Sequence, residues 1–84
     1  MMFFVYILYS EKFDKYYTGQ SKDIEKRLAN HNNALDNFTK KYVPWKLIIA
    51  VTKASRSEAL ELEKKLKNLS RQKRLDFIAK YNHV

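Results

Sequence analysis

The first apolar run of the chain, Phe3 to Tyr9 (FFVYILY), shows no alternation of apolar and polar residues. A strand apolar on both faces predicts the central strand of a sheet covered on both sides. Ser10 to Lys15 is polar and carries no Asn-Gly or Asp-Gly pair, which predicts a hairpin loop of several residues rather than a two-residue turn. Tyr16 to Thr18 returns as a short strand and ends at Gly19, the chain's only glycine. Such a glycine serves either a positive φ or a close approach of backbone. Both uses suit a strand-to-helix junction.

The period then changes to that of a helix. Ser21 is the expected N-cap, Asp23 sits in the first turn, and the helix runs from about Lys22 to His31. Ile24 and Leu28 form its apolar seam, with Arg27 and His31 within about 60° of that seam and so not fully turned to solvent. Asn30 to Lys41 reads as a loop with a short helical turn near Leu35 to Phe38. Pro44 opens a third strand, Trp45 to Thr52 (WKLIIAVT), whose poor alternation predicts burial on most of both faces. Ser55-Arg56-Ser57-Glu58 is a capping box that starts a helix with Ala59, Leu62, Leu66 and Leu69 on one stripe. On that helix Glu63 lies about 40° beyond Ala59, at the edge of the stripe, whereas Glu61 points nearly opposite. Ser70 caps a last helix to about Tyr81, with Leu75, Ile78 and Ala79 inward. The order β-β-α-β-α-α predicts an α/β (α+β) domain, a small three-stranded sheet flanked by helices, spanning 1–84 as one unit.

Composition narrows the function classes. Hydrophobic residues make up 45% of the 84 residues and aromatics 14%, enough for a folded core. The chain has no cysteine, so disulfides and thiolate metal sites are excluded, as suits a reducing compartment. Its longest apolar runs fall far short of the roughly 20 residues a membrane helix needs. The N-terminal run lacks a basic segment before it and a cleavage site after it, which predicts a strand and not a signal peptide. A cytoplasmic location and no membrane partner are therefore expected. The formal charge of +8 would attract polyanions, with nucleic acid ahead of a membrane surface.

Singly, the polar residues near the apolar seams have ordinary explanations. Tyr6 and Tyr17 read as core tyrosines with satisfied hydroxyls, His31 as a local hydrogen-bonding residue near a helix end, and Arg27 as a snorkelling edge residue. Glu63 can pair with Lys67 at i+4, a contact worth about 0.2–0.5 kcal/mol. Together they say more, because a tyrosine, then tyrosine-x-glycine, arginine, histidine and a distant glutamate, in that order, resemble the GIY-YIG nuclease family. Val5-Tyr6 stands where that family has the end of its GIY element, and Tyr17-Thr18-Gly19 stands for YIG. YTGQSKDIEKRLANHN resembles the family's second strand and first helix, Thr39 with Pro44-Trp45-Lys46-Leu47 its approach to the third strand, and RSEALELEKKLKNLSRQKR its glutamate-bearing helix. Phe4 replaces the first glycine of GIY, and only Asn68 stands as a candidate for the family's late asparagine. The resemblance covers nearly the whole chain and is greatest to the small bacterial members consisting of this domain alone.

The resemblance implies a hydrolase that cuts phosphodiester bonds with one divalent metal ion, Mg2+ or Mn2+, and no small-molecule cofactor. Its catalytic set here would be Tyr6, Tyr17, Arg27, His31 and Glu63, with Gly19 as the site glycine and Glu63 as the metal ligand. Tyr6, Tyr17 and His31 stay open as alternatives for the general base. Lys40, Lys41, Lys64, Lys65, Lys67, Arg71, Lys73 and Arg74 form the expected nucleic-acid footprint, with DNA favoured over RNA. The leading expectation is a metal-dependent DNA endonuclease, with structure selectivity and a repair or recombination role among its readings. The alternatives are a nucleic-acid-binding module with weak or no catalysis, and a small structural or partner-binding protein.

Overall fold

The computed structural model describes residues 2–33 and 37–82. The central strand is β1 (Phe3–Ser10), flanked by β2 (Lys15–Ser21) and β3 (Lys46–Lys53), with both pairings antiparallel and the spatial order β2-β1-β3. The lack of alternation in β1 is explained by cover on both faces. Val5 and Ile7 point into an aliphatic core closed by Ile49, Val51, Ala59 and Leu66, while Tyr6 and Leu8 point to the opposite side, where Trp45 lies. Helices α2 (Arg56–Lys67) and α3 (Arg71–Asn82) cover the first side; α1 (Ile24–Asn32) and a 3-10 helix (Thr39–Tyr42) cover the second. Full burial of a side chain such as Ile7 or Leu66 stabilises the fold by about 1.5–3 kcal/mol.

Several local expectations are corrected. Gly19 is not at the strand-to-helix junction but within β2, opposite Tyr6, and its φ is not positive. Ser21 ends β2 and accepts a hydrogen bond from Asp23 N at 3.0 Å; the N-cap of α1 is Asp23, whose carboxylate accepts from Lys26 N at 3.0 Å. The helical turn expected near Leu35 to Phe38 falls partly outside the described residues; the turn seen begins later, at Thr39, with Phe38 before it.

The third strand is not buried on both faces. It is an edge strand, entered through a cis Val43–Pro44 peptide, with Ile49 and Val51 inside and Leu47, Ala50 and Thr52 exposed. Its irregular pattern comes from a bulge: Ile7 pairs with Ile49 and Leu8 with Leu47, so Ile48 has no partner on β1. On α3, Ile78 packs on the core as expected, but Ala79 is exposed and Phe77 takes the inward position instead.

Both C-terminal helix starts are as read. Ser55 Oγ accepts from Glu58 N at 3.1 Å, and Ser70 Oγ accepts from Lys73 N at 3.2 Å. The polar loop between β1 and β2 turns at Asp14, whose φ of 51° is one that Asp tolerates better than most residues. Its carboxylate accepts from Tyr9 Oη at 2.9 Å, and both of its oxygens accept from Arg71 Nη2, at 2.9 and 3.0 Å, which ties the hairpin to α3.

Candidate active site

The site is built on the α1 side of the sheet, around a tyrosine that needs a glycine beside it. Tyr6 is 1% exposed, and its ring lies over Gly19 on the neighbouring strand. A Cβ at position 19 would stand 2.6 Å from Tyr6 Oη, 2.7 Å from Tyr6 Cζ and 3.1 Å from Tyr17 Cε2. Real Cβ atoms do not come so near, so only glycine leaves room for the phenol. The close approach expected of Gly19 is thus to a side chain of this protein.

From Tyr6 a buried chain of hydrogen bonds runs through α1 to the 3-10 helix. Tyr6 Oη lies 3.1 Å from His31 Nε2, and His31 Nδ1 lies 2.8 Å from Thr39 Oγ1. Thr39 in turn accepts at its carbonyl from Trp45 Nε1 at 2.9 Å. Burial raises the Tyr6 pKa above its ordinary value of 10.0, with the hydrogen-bonded Arg27 guanidinium opposing it. Tyr6 is therefore a neutral phenol near pH 7. Since Arg27 occupies an acceptor position, the remaining Tyr6 proton points naturally to His31 Nε2, leaving Nδ1–H to donate to Thr39. Asn32, next to His31, holds the main chain of Trp45 on both sides, accepting from its N at 2.5 Å and donating to its O at 3.0 Å. That clamp fixes the segment carrying Thr39 and Trp45 against α1.

Tyr17 differs from Tyr6 in its access. It is half-buried, its ring 4.9 Å from that of His31 and 6.4 Å from that of Tyr6, and it lines an open cleft of about 310 Å3 together with Thr18, Phe38, Lys67 and Arg74. Lys67 brings α2 to the same place. Its Nζ is 3.2 Å from Glu63 Oε2, whose side chain is 15% exposed, and the Glu63 charge is felt at Tyr6. Tyr6 is thus the hub of the group, meeting His31, Arg27 and the Tyr17 ring, with Tyr17 beside His31, and the Glu63 charge acts on Tyr6. Arg27 also lines a second cleft, of about 470 Å3, whose wall carries Lys22 and Arg56.

The expected footprint divides. Lys40, Lys41, Lys64, Lys65 and Lys73 are exposed, Lys67 and Arg74 line the first cleft, and Arg71 is engaged by Asp14. Arg74 lies over the Tyr16 ring at 5.7 Å, and its Nε meets no acceptor among the described residues. Asn68 is the exposed C-cap of α2 and is not among the residues lining the Tyr17 cleft. Sequence reasoning did not single out Thr39 as the partner of His31, nor Phe38, Lys22 and Arg56 as cleft residues. Each depends on a long-range pairing, and no local signal marks it.

The residues fit a metal ion held through one carboxylate. Glu63 is partly exposed and its ionic partner Lys67 is an exposed, movable side chain, so the carboxylate can be given to a cation. No group of three or more His, Asp and Glu that could hold a metal ion occurs among the described residues, so a cage made wholly of protein does not fit. Mg2+ commonly accepts the first arrangement, completing its shell with water and phosphate oxygens.

The model of a family described as the GIY-YIG catalytic domain matches residues 2–82. A UPF0213 protein of Staphylococcus saprophyticus is 44% identical over 64 residues, covering 75% of this chain and 78% of its own. A UPF0213 protein of Streptococcus pneumoniae is 37% identical over 65 residues, covering 76% of this chain and 66% of its own. Among solved structures, the solution NMR structure of the UPF0213 protein of Bacillus halodurans matches with a TM-score of 0.65 and 27% identity, over 99% of this chain and 88% of that one. No helix of the described residues is long and apolar enough to cross a membrane.

Proposed function

Since the chain belongs to the GIY-YIG catalytic-domain family, a family of nucleases, we propose that it is a divalent-metal-dependent endonuclease acting on phosphodiester bonds in DNA. The observation that carries the reading is the gathering of Tyr6, Tyr17, Arg27 and His31 around the Tyr6 hydroxyl, with Tyr17 on a cleft whose cations, Lys67 and Arg74, suit a phosphate and Arg27 on a second cleft with Lys22 and Arg56. A location in the cytoplasm and a repair or recombination role belong to the same proposal.

In this reading Glu63 would hold the metal ion. A bound Mg2+ or Mn2+ supplies positive charge to the phosphate and lowers the pKa of a water molecule. Arg27 neutralises the charge that grows on the phosphate in the transition state, an electrostatic effect that usually contributes more to catalysis than any other in such sites. Tyr17, on the cleft wall, would act as the phenolate and take the proton of the attacking water as the water oxygen bonds to phosphorus and the P–O bond to the leaving strand breaks, the leaving oxygen taking a proton from solvent. A free tyrosine has a pKa near 10, so such a base needs cations close by, and Lys67 and Arg74 line the same cleft. Tyr6, neutral and hydrogen-bonded on both sides, is a positioning residue that sets Arg27 and His31 in place. His31 braces the Tyr17 ring and is itself held by Thr39.

The test is cleavage of duplex, nicked, flapped and single-stranded DNA in Mg2+ or Mn2+ by the purified protein. Glu63→Ala should abolish it. Arg27→Ala should lower kcat by about 10²–10³-fold, the size expected for one lost transition-state donor, with a smaller effect on DNA affinity. No cut on any substrate, or a rate unchanged in Glu63→Ala, would sink the enzyme reading. A second reading, a DNA-binding module with little catalysis, draws on the Glu63–Lys67 ion pair, which occupies the carboxylate. It predicts salt-dependent DNA binding, unaltered by Glu63→Ala, without cleavage.

A further inference from the structure

A row of aromatic rings leaves the cleft at Tyr17 and follows the surface to the tip of the β1–β2 hairpin. Tyr17 is 6.1 Å from Phe38 between ring centroids, Phe38 is 5.9 Å from Tyr42, and Tyr42 meets Phe13 edge-on at 5.5 Å. The two outer rings are solvent-exposed, Phe38 by 61% and Phe13 by 42%, while Tyr42 between them is half-buried and props both. Cations are interleaved with the rings: Lys12 Nζ stands 5.5 Å over Phe13, Lys15 Nζ stands 5.8 Å over Tyr42, and the exposed Lys40 and Lys41 share the 3-10 helix with Tyr42. Of the acids in the hairpin loop, Asp14 is engaged by Arg71 and Tyr9, which leaves Glu11.

Single exposed phenylalanines are common on protein surfaces and need no explanation. A continuous row differs from them. Exposed π-faces set among lysines, and running out of a cleft lined by Lys67 and Arg74, have the composition of single-strand binding sites, where bases stack on aromatics and cations follow the backbone. A blunt duplex hides its base faces and could use only the lysines. From the exposure of Phe38 and Phe13, their continuity with Tyr17 and the charge around them, we infer that this row is a stacking platform for an unpaired DNA strand entering the cleft. The proposed DNA cleavage is its premise: unpaired bases rest on Phe38 and Phe13 while the strand's phosphates meet Lys12, Lys15, Lys40 and Lys41.

The experiment is fluorescence anisotropy in EDTA, which prevents cleavage, with a short labelled oligothymidylate, an oligouridylate and a blunt DNA duplex. Phe38→Leu and Phe13→Leu keep the apolar bulk but remove the π-face, and Phe38→Trp restores it. The expected result is tighter binding of oligothymidylate than of duplex. Each leucine variant should lose about fivefold or more for the single strand, the low end of one lost base stack, and Phe13→Leu, outside the cleft, should leave duplex affinity nearly unchanged. Phe38→Trp should regain it. Equal losses on both DNA forms, no loss on either, or tighter binding of oligouridylate than of oligothymidylate would overturn the platform. Should the platform fail while Glu63-dependent cleavage persists, the nuclease reading survives alone; should the protein bind no DNA at all, both fail.

Discussion

On one side of the sheet Val5, Ile7, Ile49 and Val51 meet Ala59 and Leu66, so the fully buried contact is aliphatic, with Phe3, Tyr16 and Phe77 packed at its margin. On the other side Tyr6 and Trp45 meet α1 and the 3-10 helix through the Tyr6–His31–Thr39–Trp45 chain. The difference is one of what each side can tolerate. Aliphatic contacts are non-directional, and a neighbour that relaxes recovers part of what is lost. A hydrogen-bonded chain has one geometry, and a buried polar group left without its partner costs about 1–3 kcal/mol. So the aliphatic contacts of the α2/α3 side hold the fold together, although α2 and α3 also carry Glu63, Lys67 and Arg74, and the α1 side spends part of its stability on fixing the placement of Tyr6, Arg27 and His31.

The largest effect should come from the aliphatic side. Ile49 is buried on β3, far in sequence from every candidate catalytic residue, and truncating such a side chain costs about 2–5 kcal/mol. Ile49→Ala should lower the unfolding free energy from urea denaturation by that much while leaving kcat per folded molecule close to that of the parent. A variant that is fully folded yet inactive would break the division of labour.

Next in size, on the polar side, is Gly19→Ala. The added methyl collides with Tyr6 and touches Tyr17, so the strain of overpacking, typically about 1–3 kcal/mol, falls on both tyrosines at once. Here stability and cleavage should fall together, unlike in Ile49→Ala. Removing the Tyr6 hydroxyl in the same chain relieves the 2.6 Å contact but not the 2.7 Å contact with Cζ. The double variant with Tyr6→Phe should therefore be more stable than additivity predicts yet remain below the parent. Strict additivity in a denaturation cycle would show that the phenol and the glycine do not share that space.

The two sides were not equally legible from sequence. The aliphatic side announces itself locally: FFVYILY without alternation means cover on both faces, and the Ala59–Leu62–Leu66 stripe needs only the helical period, although Leu69, expected on the same helix, packs on the core from beyond its end. Even there, β3 misled, because Leu47, Ala50 and Thr52 are poor indicators of exposure and the Ile48 bulge breaks the period of two. The weakly amphipathic α3 gave no firm frame, so Ala79 stood in for Phe77. On the polar side, residue types and order point to Tyr6, Tyr17, Arg27, His31 and Glu63 through a family likeness. Why Gly19 must be glycine is set by cross-strand register with Tyr6, thirteen positions away in sequence. The Thr39 contact of His31 and the exposure of Phe38 depend on where the 3-10 helix lies against α1, which no local pattern encodes.

The smallest effect, and the one that tests whether the two sides are linked at the hairpin, is electrostatic. Asp14 lies in the loop joining β1 to β2 and grips Arg71 of α3, while Tyr9 donates to it from β1. The Arg71 hydrogen bonds first, and Tyr9 second, hold its carboxyl below the usual carboxylate range. A depressed folded-state pKa contributes stability that is fully present above the unfolded value of about 3.9 and is lost as pH falls through the lower folded value. Both partners are exposed, so salt should screen the effect. Asn at position 14 keeps the tolerance for positive φ, so Asp14→Asn removes the charge while sparing the turn. The difference in Tm between parent and Asp14→Asn should be small and constant from neutral pH to about pH 5, and should shrink toward zero below about pH 3 as the parent carboxylate protonates. A difference that persists in acid, or that ignores salt, would assign the role of Asp14 to the shape of the turn and leave the hairpin independent of α3.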